Sequence, residues 1–142
     1  MKKLVILFLS VLTSGVLLTS CSDDDEAPSI EGKWEFYQEG ISLGGVEQLE
    51  LYEHTPGCEK DFVELFSGGN YEDVFYFKEG EVCVEDSSTG TWSRSGNSLT
   101  ITSDGESNTA TIVTLNDTTL KVLISEDLGG VPITAIVVFK RP

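Results

Sequence analysis

Basic side chains are scarce in this sequence, and the scarcity removes one large class of function. Nine Lys and Arg residues stand against 24 Asp and Glu, which gives a formal net charge of −15 at pH 7. A surface of this charge repels the phosphates of nucleic acid, and no run of basic residues compensates. We therefore expect no nucleic-acid partner. The acidity itself is explained by solubility as readily as by a cationic partner.

Histidine occurs once, as His54. Nucleophilic catalysis requires a Ser or Cys with a base in reach, and His54 leads into the turn-like Thr55-Pro56-Gly57, where a satisfied surface histidine is expected. No glycine-rich phosphate loop precedes a helix. Carboxylates such as Asp61 and Glu64 are interpreted as strand-face charges rather than as a glycosidase pair. We predict that the protein is not an enzyme and holds no cofactor.

Regular metal-ligand spacing is missing too. Calcium loops place oxygen ligands at fixed intervals, and neither Asp104-Gly105-Glu106 nor Glu126-Asp127 follows that pattern. The single His54 lies too isolated to complete a set of ligands with cysteine sulfurs. We predict no metal site.

A sustained helical period of apolar residues is also absent, and short β-rich runs separated by turn residues fill the chain instead. The predicted strands are residues 32–39, a short one at Leu49 and Leu51, 62–66, 71–77, 82–85, 91–94, one at Leu99 and Ile101, 109–115, one through Leu120, Val122 and Ile124, and 133–139. Such short connections predict an all-β, antiparallel up-and-down meander. Closure into a barrel would pair its edges; a two-sheet β-sandwich is the alternative.

The first twenty residues have the parts of an export signal. Lys2 and Lys3 are followed by the apolar stretch Leu4–Leu12, and Thr19-Ser20 leads into Cys21. Such a leader is removed and is not part of the fold. We predict a signal peptide over residues 1–20, whose removal changes the formal net charge to about −17 by loss of two lysines.

Leu18-Thr19-Ser20-Cys21 resembles the lipobox of bacterial lipoproteins. The resemblance implies cleavage before Cys21 and lipidation of that cysteine with a diacylglycerol and an amide-linked acyl chain such as palmitate. Each buried acyl methylene contributes about 0.8 kcal/mol, and stable anchoring takes more than one chain. The predicted partner of Cys21 is therefore a membrane.

An acidic linker is expected over residues 21–29. Its run Ser22-Asp23-Asp24-Asp25-Glu26 resembles the surface-export signal of lipoproteins in some Gram-negative anaerobes. That resemblance implies an outer-membrane lipoprotein on the cell surface. A plain solvated spacer is the alternative, and the choice between the inner and outer faces of that membrane stays open.

The two remaining cysteines, Cys58 and Cys83, form an even pair in an oxidising compartment. We predict a disulfide between them, which would contribute roughly 3 to 4 kcal/mol in the chain-entropy model. Two free thiols are the alternative.

Gly32-Lys33-Trp34 resembles the Gly-x-Trp signature of lipocalins, in which the tryptophan closes the barrel base near a basic residue after the last strand. Arg141 stands at the matching place. Further segments resemble a lipocalin-like family of secreted lipoproteins, namely Gly90-Thr91-Trp92-Ser93, the run from Ser95 to Ile101, and the run from Leu115 to Leu120. The resemblance implies a lipocalin-like barrel over residues 30–142, without the helix that lipocalins pack against the wall.

Aromatic residues are abundant in the first half of this domain. They are expected to fill the core, and the alternative is that some line a site for a small apolar ligand: Phe62, Phe66, Phe75, Phe77 and Trp92. Two functions follow. One is a lipid-anchored binding protein of the cell envelope; the other is a non-catalytic accessory subunit of an outer-membrane complex.

Overall fold

The computed structural model describes residues 27–142. The predicted signal peptide, Cys21 and the acidic run lie outside these described residues. All regular structure in the described part is β, in nine strands: β1 (Gly32–Leu43), β2 (Val46–Leu51), β3 (Phe62–Leu65), β4 (Asn70–Glu79), β5 (Val82–Ser95), β6 (Ser98–Ser103), β7 (Glu106–Leu115), β8 (Thr119–Leu128) and β9 (Val131–Lys140).

The sheet closes on itself. From β3 to β9 each strand pairs antiparallel with the next, and β9 returns to pair with β1 along Glu35–Ser42. Since β1 also pairs with β3, eight strands form a closed ring. This confirms the predicted all-β barrel and rules out the two-sheet sandwich.

Strand β2 lies outside the ring. It pairs with the second half of β1, from Gln38 to Leu43, whereas β3 pairs with the first half, from Gly32 to Glu35. The two therefore follow the same side of β1, one after the other, and residues 52–61 connect them. Among the strands described, β2 has no partner on its other edge.

The two ends of the barrel differ in their connections. The base holds the turns after β3, β5 and β7, together with residues 27–31 and the end of β9. The open end holds the turns after β1, β4, β6 and β8. The first of these turns is Gly44-Gly45, whose φ values of 59° and 82° lie in the left-handed region that a two-residue hairpin requires.

The hydrophobic core sits in the base half of the barrel. Side chains alternate between the faces of each strand, and those facing inward bury against one another. The core consists of Ile30, Trp34, Leu65, Leu99, Ile112, Leu120, Val122 and Phe139. All eight members are buried; Ile30 precedes β1, and the other seven come from six of the eight strands of the ring.

Strand β5 corrects the sequence analysis, which predicted separate strands at 82–85 and 91–94. It is a single strand of 14 residues. Apart from Thr89, the intervening residues 86–90 are weak strand formers, yet each pairs with β4 between Tyr71 and Phe75. Long-range pairing thus overrides local propensity. Gly90 permits the sharp bend of the sheet here, because a Cβ at that position would collide with the carbonyl oxygen of Thr102.

Candidate functional site

The base of the barrel is closed around Trp34, which is fully buried. Its indole Nε1 donates a hydrogen bond to the carbonyl oxygen of Ile30 at 2.7 Å. The guanidinium of Arg141 lies 3.8 Å from the centre of the indole ring and donates to the carbonyl oxygen of Ser29. A Cβ on Gly32 would collide with that guanidinium. The three signature residues therefore meet, and desolvation lowers the pKa of Arg141.

An aromatic layer marks the limit of the packed core. Phe36 lies between Tyr52, Phe75 and Phe139, with ring centroids 4.8, 5.5 and 4.8 Å away. These distances suit stacked and tilted aromatic pairs. Below this layer, toward the base, the inner face is buried or half-buried; above it, the inner face is half-buried or exposed.

We call the inner face above this layer the mouth. Residues that pair directly across antiparallel strands share a face. Side chains alternate along a strand, so Phe75 and Phe77 lie with Tyr71 on the inner face of β4. The mouth also includes their partners on β5 and the inner-face residues of the upper halves of β8 and β9. On β4, β5, β8 and β9 its apolar members are Phe75, Phe77, Val82, Val84, Ile124, Val131, Ile133 and Ala135, and its acidic members are Glu79, Asp86 and Glu126.

The mouth exposes apolar surface to solvent. Phe75 and Phe77 are 38% and 42% exposed, and Val82 and Val131, next to two turns of the open end, are 65% and 58% exposed. Scattered exposed apolar residues are ordinary on proteins. Their concentration on the inner face of one barrel end instead resembles an open binding surface.

The wall beside the mouth is completed by residues 52–61 rather than by a strand. Strand β4 pairs with β3 only from Tyr71 to Val74. Beyond Val74, the backbone of Tyr76 donates to Oδ1 of Asp61 at 2.7 Å and accepts from the hydroxyl of Thr55. Side chains thus replace the missing strand at this edge.

Asp61 is the only buried charged residue among those described, at 4% exposure. Besides Tyr76, it accepts a hydrogen bond from the Tyr52 hydroxyl at 2.8 Å. Both oxygens are therefore satisfied, as a buried carboxylate requires. The sequence pattern predicts only a strand-face charge at Asp61, and the structure corrects this. An acidic residue immediately before an apolar strand was the available signal.

His54 links the same segment to β1 through hydrogen bonds of its ring. The Asp61 backbone donates to its Nδ1 at 3.0 Å, so Nε2 carries the proton and donates to the carbonyl oxygen of Phe36 at 2.9 Å. The neutral imidazole thus connects residues 52–61 to β1. This agrees with the predicted satisfied histidine, although the ring is half-buried rather than on the surface.

Two tyrosines near the inner face have raised pKa values. Burial, the hydrogen bond to Asp61 and the charge of Asp61 raise the pKa of Tyr52 well above its usual range. Burial and the hydrogen bond to Asp73 do the same for Tyr71. Both phenols therefore stay protonated and keep donating to their carboxylates.

The predicted disulfide is present between Cys58 and Cys83, whose Cα atoms are 5.7 Å apart. Cys83 pairs with Lys78 on the outer face of the sheet. The bond therefore fastens residues 52–61 to β5 across the free part of β4.

Strand β2 bends away from the barrel at Gly40. A Cβ there, on the outer face, would collide with the carbonyl oxygen of Gln48. Glu47 of β2 forms a 2.6 Å ion pair with Lys121 of β8, two strands beyond β1. Ile136, on the outer face of the intervening β9, is fully buried. Strand β2 therefore covers the outside of the barrel and leaves the wall of the mouth to residues 52–61.

The aromatic residues predicted as a possible ligand lining do not converge. Phe75 and Phe77 lie in the mouth, and Trp92 lies at the base, where its Nε1 donates to the carbonyl oxygen of Phe66. Phe66 is 38% exposed in the turn after β3. Phe62 pairs with Val74 on the outer face, beneath the ammonium group of Lys33 at 3.6 Å.

Residues 27–142 contain neither a cluster of metal ligands nor a membrane-spanning helix. Nowhere in this range do three or more His, Cys, Asp or Glu residues lie close enough together to hold a metal ion. Nor does the range include any helix with the length and hydropathy needed to cross a bilayer.

Residues 30–122 match the sequence profile of the lipocalin-like domain family. The match spans more than half of the chain, and the protein belongs to this family. No curated protein sequence matches significantly.

Solved structures share the fold. A lipocalin-like protein from Bacteroides uniformis has a TM-score of 0.55 at 15% identity, with 79% of this chain and 97% of that chain covered. An uncharacterized protein from Bacteroides eggerthii has a TM-score of 0.55 at 12% identity, with 80% and 100% covered. Bovine odorant-binding protein gives a TM-score of 0.44 at 16% identity, covering 78% and 72%. At these identities the two Bacteroides structures show likeness of fold alone, and nothing is concluded from the third.

Proposed function

We propose that this protein is a lipid-anchored binding protein of the cell envelope whose mouth holds a small apolar ligand. One observation carries the proposal: the inner face is packed at the base, whereas at the open end it leaves the apolar side chains of Phe75, Phe77, Val82 and Val131 exposed. Family membership supports it, because lipocalin-like proteins are generally binding proteins rather than enzymes. The barrel leaves only a shallow site, so a small ligand fits better than a long one.

Native mass spectrometry of protein purified from its own host tests the ligand. We expect a small molecule to co-purify with the wild type and to be lost from a Phe75→Ala/Phe77→Ala variant. Tyr37→Ala, which removes an exposed aromatic ring from outside the mouth, is the matched control and should retain it. Repeated absence of a bound molecule from the wild type would contradict the proposal.

The anchor is proposed to be lipid on Cys21, with the protein held at the outer membrane. The geometry of the described part suits this, because Ala27 to Glu31 enter at the base. A tether attached there directs the mouth away from the membrane. A Cys21→Ser variant should lose acylation and appear in the soluble fraction; a full-length variant that stays membrane-bound would contradict the anchor.

The acidic run after Cys21 is proposed to direct the protein to the cell surface. We would replace Asp23, Asp24 and Asp25 by Asn and Glu26 by Gln. On intact cells this variant should resist a protease added outside, whereas the wild type should be digested. The same replacements should leave acylation unchanged. Equal protease access for variant and wild type would reduce the run to a spacer.

An accessory subunit of an outer-membrane complex is the second candidate. Leu43 and Val46, which flank the β1–β2 turn at the open end, are 47% and 64% exposed. Such side chains suit contact with another protein. Affinity purification from membranes would favour this candidate if one partner were recovered with the wild type and lost with Leu43→Ser/Val46→Ser.

A further inference from the structure

We infer that the ligand of the mouth is a cation, an organic ammonium group attached to a small apolar or aromatic body. The inference rests on the proposed function and names the chemical class of its ligand. Three features of the described barrel carry it: aromatic rings with exposed faces, a carboxylate beside them, and the placement of the basic residues.

The aromatic surface comes first. Phe75 and Phe77 lie on the inner face of β4 with more than a third of each side chain exposed. Phe75 is fixed on one side by Phe36, 5.5 Å away. The face of an aromatic ring attracts a cation through its quadrupole, and quaternary ammonium groups are recognised in this way. A neutral apolar ligand would use the same surface without needing charge.

The carboxylate that pairs with Phe75 across β4 and β5 is Asp86. Together with Asp73 and Ser88 the two residues line a small groove of about 160 Å³. Asp73 is occupied, since it accepts hydrogen bonds from the Tyr71 hydroxyl at 2.9 Å and the Ser88 backbone at 3.1 Å. The side chain of Asp86 is exposed and forms no hydrogen bond within the described residues, so its charge remains available to a ligand.

The basic residues lie elsewhere. By register, four lysines of the described strands point to the outer face, while Lys60 is bound to Glu35 at 2.7 Å. Arg94 is held beside the β5–β6 turn at the base by its hydrogen bond to Gly96. Arg141 covers Trp34. The outward lysines are Lys33, Lys78, Lys121 and Lys140. An anionic ligand in the mouth would therefore meet Asp86 with no counter-charge nearby, whereas a cation is attracted.

Small, water-soluble probes of matched shape test this class. Benzyltrimethylammonium, benzyl alcohol and benzenesulfonate would each be titrated into the lipidated full chain in an uncharged detergent, with blank micelles as reference. Binding would be followed by amide chemical shifts of β4 and β5. We expect the cation to bind most tightly, the alcohol more weakly and the sulfonate not at all, and we expect salt to weaken binding of the cation.

Variants separate the contribution of the Asp86 carboxylate from that of the Phe77 ring. Asp86→Asn and Phe77→Ala should each weaken binding of the cation by about two- to fivefold, the range for an exposed ion pair and an exposed cation–π contact. Glu85→Gln is the matched control. It makes the same change in net charge at the next residue of β5, on the opposite face, and should leave the affinity within experimental error.

The outcomes distinguish the inference from the proposed function. If the three probes bind equally and Asp86→Asn has no effect, the mouth is a binding site but the inference of a cation is overturned. If none of the probes shifts the β4 and β5 amides, both the inference and the proposed mouth site fail. If Glu85→Gln weakens the cation as much as Asp86→Asn, the attraction is nonspecific and the inference is again overturned.

Discussion

Asp61 illustrates how one residue can replace a strand. Its carboxylate accepts from the Tyr52 hydroxyl and from the Tyr76 backbone, and it is buried where β4 has no strand partner. Removing such an acceptor leaves buried donors unpaired, which costs more than the net contribution of a hydrogen bond.

We expect Asp61→Ala to lower the free energy of unfolding by about 2 to 4 kcal/mol. Urea denaturation measures this directly. Glu53→Ala removes an exposed carboxylate from the same segment and serves as control, with little expected change. Equal stabilities for the two variants would show that the buried carboxylate has no structural role.

Tyr52 links this network to pH. Its folded-state pKa is raised, chiefly by burial and next by Asp61. An unfolded tyrosine titrates near pH 10, so above that pH the unfolded chain loses a proton that the folded chain keeps. The stability contributed by this shift is complete below about pH 10 and is lost as the pH rises further.

We expect Tyr52→Phe to flatten the decline of melting temperature between about pH 10 and 11.5. Part of the decline should persist, because the pKa of Tyr71 is raised as well. Tyr37→Phe, at an exposed position, is the control. A Tyr52→Phe profile that coincides with the wild type would contradict the assignment.

At the scale of elements, residues 52–61 are attached to the barrel by side chains, by two backbone hydrogen bonds to β1 at the ends of the segment, and by one disulfide. The bond between Cys58 and Cys83 fastens this segment to β5, on the outer side of the sheet. The base core lies far from it and draws on none of these residues. Loss of the disulfide should therefore act mainly on the segment and the upper edge of β4.

We expect Cys58→Ser/Cys83→Ser to lower the free energy of unfolding by about 3 kcal/mol. Hydrogen exchange should accelerate most at residues 52–61 and at Tyr76. The amides of β6 to β8 should slow exchange as strongly as the lowered global stability of the variant allows. Treatment of the wild type with a reductant should reproduce the effect, and the variant should not respond. Uniform acceleration throughout the barrel would contradict a local role.

Sequence patterns predicted the elements better than their arrangement around the mouth. Alternation and turn residues gave most strands and the closed meander, because both are local signals. The cysteine pair followed from the exclusion of Cys21. The bend of β2 at Gly40 depends on a close approach to Gln48, and the burial of Asp61 depends on its hydrogen bond with Tyr76. Both are contacts with another strand, which the residue pattern of a single strand does not predict. The mouth was anticipated only through Phe75 and Phe77, since face assignment requires the register.

At the scale of the whole molecule, closure depends on the pairing of β1 with β9. Strand β1 contacts β2, β3 and β9, and β9 contributes Phe139 to the core. A chain that stops after Gly130 would leave β1 and β8 as open edges. Open edges of this kind pair with other chains.

We expect the truncated chain to form soluble aggregates rather than a folded monomer. Size-exclusion chromatography with amide NMR measures this, with the complete chain purified in parallel. A truncated chain that eluted as a monomer with dispersed amide shifts would show that β9 is dispensable.

The same pairing bears on how the protein is made. In the exported protein proposed here, β1 leaves the inner membrane first, and its partner β9 leaves last. Contacts between strands so distant in sequence form slowly. The nascent barrel therefore passes through a stage in which β1 exposes an unpaired backbone edge on the far side of the membrane, where a periplasmic chaperone would have its most effective point of intervention.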